Sequence, residues 1–206
     1  MAFKTLTVIG ADDLLGEAVV REALVRGLRV RGTAPLPQRV PRLSPEFEVL
    51  RAEAGSQDDL EPAVKGADAV VLALTPQLVA DPTMQATDAA IAAVRAMRAA
   101  GVERLVAVSS IELADPARVL GPLRRRLHHG GLQDLRRLER LLAGSGLDWT
   151  VLRAGRPTDL LGTREQSVGT RHDEGSRALP REDLARALVD QALTGGSEPR
   201  VLTVTV

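Results

Sequence analysis

Cysteine and tyrosine are absent from the 206 residues, and aromatic rings amount to two phenylalanines and one tryptophan. Without cysteine there is no disulfide, no thiolate metal site and no cysteine nucleophile, a composition that suits a reducing cytoplasm, where the chain is expected. Without tyrosine, no phenolic acid is available for proton transfer, and the shortage of rings leaves little surface for stacking nucleic-acid bases. An excess of one charge is missing too: Lys+Arg and Asp+Glu both number 27, so the formal net charge is zero. Binding to nucleic acid or to an anionic membrane needs a basic excess or stripe. The one local run, Arg124-Arg125-Arg126 followed by His128 and His129, reads as a solvated helix face or loop. No uncharged apolar stretch approaches the ~20 residues of a membrane helix. Met1 to Thr5 lacks the charged-then-apolar order of a secretion signal. The expected partner is therefore a small-molecule ligand or substrate, with no nucleic acid and no membrane; monomer and homodimer are both open.

Strand-like apolar runs alternate with helix-length amphipathic stretches almost to the end of the chain. That pattern predicts a parallel sheet with helices on both faces, a doubly wound α/β fold in three layers, as one domain over residues 1–206. Strands are predicted at Leu6–Ile9, Leu28–Ala34, Phe47–Leu50, Ala67–Leu74, Arg104–Val108, Trp149–Arg153 and Val201–Val206. Helices are predicted at Leu14–Arg26, Ser56–Val64, Pro82–Ala100, Leu132–Ala143 and Arg181–Leu193, with Gly27 and Gly101 as stop signals. The proline-rich stretch Pro35–Pro45 reads as an irregular surface connection. In such folds ligands sit beyond the carboxyl ends of the strands, where the strand order reverses.

The first of those loops, Gly10-Ala11-Asp12-Asp13-Leu14-Leu15-Gly16, lies between a strand and a helix, where a Rossmann dinucleotide fingerprint belongs. Gly10 permits the tight turn and Gly16 a close helix–sheet approach. Several segments share one resemblance: this loop, Gly66-Ala67-Asp68-Ala69-Val70-Val71, Ala100-Gly101-Val102 leading to Val108-Ser109-Ser110, Asp115-Pro116 with Val119, Ser145-Gly146-Leu147-Asp148, and Arg181-Glu182-Asp183-Leu184-Ala185. Over nearly its whole length the chain resembles the atypical short-chain dehydrogenase/reductase superfamily, in its NAD(P)H-binding, NmrA-like group, nearest the flavin-reductase members. The resemblance implies a cofactor, NADP or else NAD, held by Gly10, Ala11, Asp12, Asp13, Leu14, Leu15 and Gly16, by Arg39 and Glu53, by Leu74 and Thr75, and by Ser109, Ala154 and Gly155.

Departures from the family pattern fall on the same contacts. The family writes Gly-Ala-Thr-Gly-x-x-Gly; here Asp12-Asp13 replaces Thr-Gly, placing a carboxylate beside the expected pyrophosphate. Asp12 or Asp13 reads equally as an N-cap that takes the amides a phosphate would use. Pro35 stands where the first of two phosphate-gripping arginines is expected, and Arg39 matches the second, with Arg31 and Arg42 nearby. Ala52-Glu53 replaces Gly-Asp at the adenine.

The wider superfamily's Tyr-x-x-x-Lys pair is unavailable here. Arg136 falls where relatives often carry the lysine; it cannot donate a proton near neutral pH but could fix an anionic substrate. Ser110 matches a serine that flavin-reductase members place beside the nicotinamide, although Ser109 and Ser110 also read as simple strand terminators. Arg153-Ala154-Gly155 replaces Arg-Pro-Gly. His128, His129 and His172 are candidate acids that read more simply as exposed side chains. The three histidines lack metal-ligand spacing, and no Gly-x-Ser-x-Gly elbow follows a strand. Two functions fit: an NAD(P)H-dependent reductase of a flavin, quinone or tetrapyrrole, or a degenerate Rossmann protein that binds or senses another ligand or acts without a cofactor.

Overall fold

The structure, a computed structural model, describes residues 4–75, 83–114, 126–170, 178–194 and 200–205. Asp115, Pro116, Val119, Arg124, Arg125 and His172 of the sequence reading lie outside the described residues. So does Pro82, the expected start of the third helix.

Apolar residues alternate along each central strand, and both sets are buried. Leu6 and Val8 of β1 (Thr5–Ile9), Val71 of β4 (Ala69–Leu72), Val106 and Val108 of β5 (Arg104–Ser110) and Leu152 of β6 (Asp148–Ala154) face one way. Ile9, Val70, Leu72, Leu105, Ala107 and Val151 face the other. A period of two with neither side polar requires cover on both faces. The first set is covered by α1 (Leu14–Val25) and α5 (Arg181–Thr194), the second by α2 (Gln57–Val64), α3 (Gln85–Ala100) and α4 (His129–Ala143). With β2 (Arg29–Ala34), β3 (Phe47–Arg51), β8 (Ser167–Gly169) and β10 (Arg200–Thr205), the sheet runs β3-β2-β1-β4-β5-β6-β10-β8. This is a Rossmann-type, doubly wound α/β fold. Strand order reverses between β1 and β4, so the crevice opens above their carboxyl ends.

Four differences from the sequence reading have physical causes. β8 pairs antiparallel with β10, at an edge where only loop was expected; its three residues are too few to show alternation. A further pair of three-residue strands, β7 (Arg156–Thr158) and β9 (Ala178–Pro180), forms a second small sheet. β5 continues through Ser109 and Ser110, because these pair with Arg153 and Ala154 of β6. α4 begins at His129 rather than Leu132, its Gly130 and Gly131 held helical by burial against the fold. No helix of the described residues is long and apolar enough to cross a membrane.

Candidate cofactor cleft

Backbone geometry builds the turn after β1. Gly10 takes a φ of 87°, and a Cβ there would lie 2.5 Å from Leu74 Cδ2. The Ala11 N–H donates to the Thr33 carbonyl at 2.9 Å, joining the turn to the end of β2. A Cβ on Gly16 would stand 1.9 Å from the Gly10 carbonyl oxygen, so α1 backs onto the turn as only glycine allows. This is the frame of a dinucleotide loop. The exception is Asp13. It is the N-cap of α1, its Oδ1 accepting the Leu15 N–H at 2.8 Å and the Thr75 hydroxyl at 2.6 Å. Of the two capping candidates it is Asp13 that caps; Asp12 is exposed at the rim and Leu14 points outward, while Leu15 is buried.

Two cavities flank Asp13. The outer one, ≈ 320 Å³, is walled by Gly10, Asp12, Thr33, Pro35, Ala52 and Glu53, together with Asp13 and Leu74. The inner one, ≈ 120 Å³, lies among Thr75, Thr83, Ala86, Gly131, Asp134 and Leu135, again with Asp13 and Leu74. Asp13 and Leu74 therefore form the partition that an extended dinucleotide would have to cross. Among the described residues, three carboxylates line the outer cavity and no basic residue does. Arg39 is exposed on the 3-10 turn after β2, outside that lining, and Arg42 is exposed too. Arg31 turns away onto the Ala63 and Lys65 carbonyls at the end of α2.

The ends of β5 and β6 carry a polar cluster. Ser109 is buried and donates to Glu139 Oε1 at 2.8 Å; Arg153 holds both oxygens of the same carboxylate, at 3.0 and 2.7 Å. Ser110 pairs with Ala154 in the sheet, Gly155 follows buried, and the Ser110 hydroxyl accepts the Glu112 N–H at 3.2 Å. His128 is half-buried, its Nδ1 3.2 Å from Glu112 Oε2. Arg136, by contrast, is exposed on α4 and lines neither cavity.

Sequence reasoning missed Asp134. It is buried on α4 and accepts the Ala86 and Thr87 N–H groups, each at 3.0 Å, capping α3 from a neighbouring helix. Met84, the residue at the α3 N-cap, has no capping side chain, and that was the available signal. Glu139 and Glu112 were missed as well, since their partners lie 30 and 16 residues away. The helix starts facing the crevice, α1 and α3, thus each carry the chain's own carboxylate.

The frame fits a dinucleotide: a glycine turn that a Cβ would fill, a cavity at each side, and strand ends opening on a crevice. Asp13, at the helix start where the pyrophosphate would lie, opposes one. Comparison with known proteins agrees. ChuY, an anaerobilin reductase from Escherichia coli, superposes with a TM-score of 0.83 at 17% identity, over 98% of this chain and 97% of that one. A short-chain dehydrogenase/reductase from Veillonella parvula, in complex with NADP, gives 0.80 at 17% identity, covering 99% and 95%. An oxidoreductase from Lactococcus lactis gives 0.78 at 15% identity, covering 98% and 90%. These likenesses carry the fold; the family is carried by a sequence model described as NAD(P)H-binding, which matches residues 10–194. With its fingerprint loop inside that match, the chain belongs to the NAD(P)H-binding family.

Proposed function

We propose that this chain is a nicotinamide-dependent reductase of a small planar acceptor of the flavin, quinone or tetrapyrrole class. The observation that carries the reading is the β1–α1 turn, built on Gly10 and Gly16 where a Cβ would clash, with a cavity on either side of it. Gly10, Thr33, Ala52 and Glu53 would hold the adenosine half, and the turn the pyrophosphate. Thr75, Ser110 and Gly155 would border the nicotinamide, which supplies a hydride when bound. The similarity to an anaerobilin reductase favours a conjugated acceptor.

The outer cavity favours NADH over NADPH. A 2′-phosphate would meet carboxylates of Asp12, Asp13 or Glu53 with no arginine among the described lining residues to answer it. At ~4 Å each like-charge contact costs about 4 kcal/mol at a surface-like dielectric.

A second reading is favoured by one observation. Because Asp13 already satisfies the Leu15 amide, the cleft also suits a ligand without a pyrophosphate, bound by a sensor or by an enzyme that needs no nicotinamide. Calorimetric titration with NADH and then NADPH separates the two. Saturable NADH binding, tighter than NADPH, is the expected result, followed by turnover of flavin or quinone. No heat with either cofactor up to millimolar concentration overturns the reductase and leaves the second reading.

A further inference from the structure

A reductase must deliver a proton as well as a hydride, and this chain has no tyrosine to give one. Arg136 stays charged and is exposed, so it cannot take the part. Just beyond Ser110, at the carboxyl end of β5, the described residues offer another group. His128 and Glu112 lie side by side, 18% and 13% exposed, with Nδ1 3.2 Å from Oε2. The Glu112 N–H is fixed in turn on the Ser110 hydroxyl.

Position along α4 points the same way. Residues at i, i+3, i+7 and i+11 share one helix face. Counting from His128 these are Gly131, Leu135 and Glu139. Gly131 and Leu135 line the inner cavity, and Glu139 binds Ser109 on β5 and Arg153 on β6. His128 is the member of this stripe at the helix start, on the side where the strands end. His129 lies off the stripe, exposed, against Gln133.

We propose that His128, oriented by Glu112, is the proton donor to the acceptor. The inference rests on the reductase reading. A carboxylate on one ring nitrogen sets the ring's orientation and leaves Nε2 for proton transfer. An acceptor that has gained a hydride carries a lone pair and a negative charge on oxygen or nitrogen. The Nε2–H bond of the imidazolium breaks, an O–H or N–H bond forms on the acceptor, and the neutral imidazole regains a proton from water.

The first test needs no cofactor. Long-range ¹⁵N–¹H spectra of the imidazoles in the unaltered chain, titrated with oxidised riboflavin or menadione, should show the His128 ring nitrogens shifting while those of His129 stay. In the second, His128→Gln should bind NADH as the parent does, yet reduce menadione in a single turnover at least about tenfold more slowly. Glu112→Gln should fall between, and His129→Gln should match the parent. Ring signals that ignore both acceptors, or a His128→Gln chain that reduces at the parental rate, overturn the proposal while leaving the reductase standing. A parent chain that binds no NADH removes both. If His128→Gln fails to fold, the ring titration decides alone.

Discussion

Asp13 does two things with one oxygen: it caps α1 and holds Thr75. Its cap was legible in the sequence, because an Asp directly before an apolar-periodic run is a helix-start signal. Its bond to Thr75 was not, since nothing local links residues 62 apart. The two roles can be separated by mutation. Asn caps about as well as Asp, so Asp13→Asn should melt like the parent, while Asp13→Ala should lose about 1 kcal/mol. Removing the charge should tighten NADH binding by about tenfold or more, since relief of ~3 kcal/mol of repulsion is worth roughly a hundredfold. Calorimetry on parent and variant measures this. Equal affinities would place the pyrophosphate away from Asp13. Gly16 is less forgiving. Its absent Cβ would meet the backbone carbonyl of Gly10, which has no flexible end to yield. Gly16→Ala should therefore cost upwards of about 2 kcal/mol in urea unfolding; a neutral result would mean that α1 does not back onto the turn.

Among the elements, the strands and helices of four residues or more were legible, and their ends moved by only a few positions. The short ones were not. β7, β8 and β9 have three residues each and owe their existence to partners elsewhere in the chain. The start of α4 was hidden by Gly130 and Gly131, which locally argue against a helix. The loop that leads into β8 depends on a distant group in the same way. Buried Asp183, in the first turn of α5, accepts the Thr163 N–H at 2.8 Å, the Thr163 hydroxyl at 3.0 Å and the Arg164 N–H at 3.1 Å, and pairs with Arg186 at 2.7 Å. Burial pushes its carboxyl up, but the hydrogen bonds from Thr163, Arg186 and Arg164 outweigh it and hold the carboxyl below the ordinary value. A group held lower in the folded state stabilises the fold at neutral pH, and that stability drains away as the pH falls below about 4. Asp183→Asn should lose about 1–3 kcal/mol at pH 7. Its stability should also decline less than the parent's on going to about pH 3.5. Urea unfolding at the two pH values checks both, and parallel declines would mean that Asp183 is not the group titrating there.

At the scale of the whole molecule, the fold was legible because both faces of the central strands are apolar, and the crevice followed from where the strand order reverses. What the crevice binds was less legible, because it depends on which groups the fold brings together around it. Asp13 before α1, and Asp134 and Glu139 on α4, come from two distant stretches of sequence, and each is answered by a residue far along the chain. A ligand that bridges the outer and inner cavities would touch β1, β2, β4 and α4 together, so its binding energy should appear as stability of the entire domain. At a hundred times its dissociation constant a ligand adds about 2.7 kcal/mol. For a chain of this size that is a rise of roughly 5–10 °C in melting temperature. NADH should raise the melting temperature of the parent, and at the same concentration raise that of Asp13→Asn further, because the variant is closer to saturation. A ligand confined to the outer cavity, such as adenosine, should protect both chains equally, since it need not cross Asp13. Should NADH and adenosine protect parent and variant alike, the adenosine half alone is being held. The inner cavity would then belong to a different molecule.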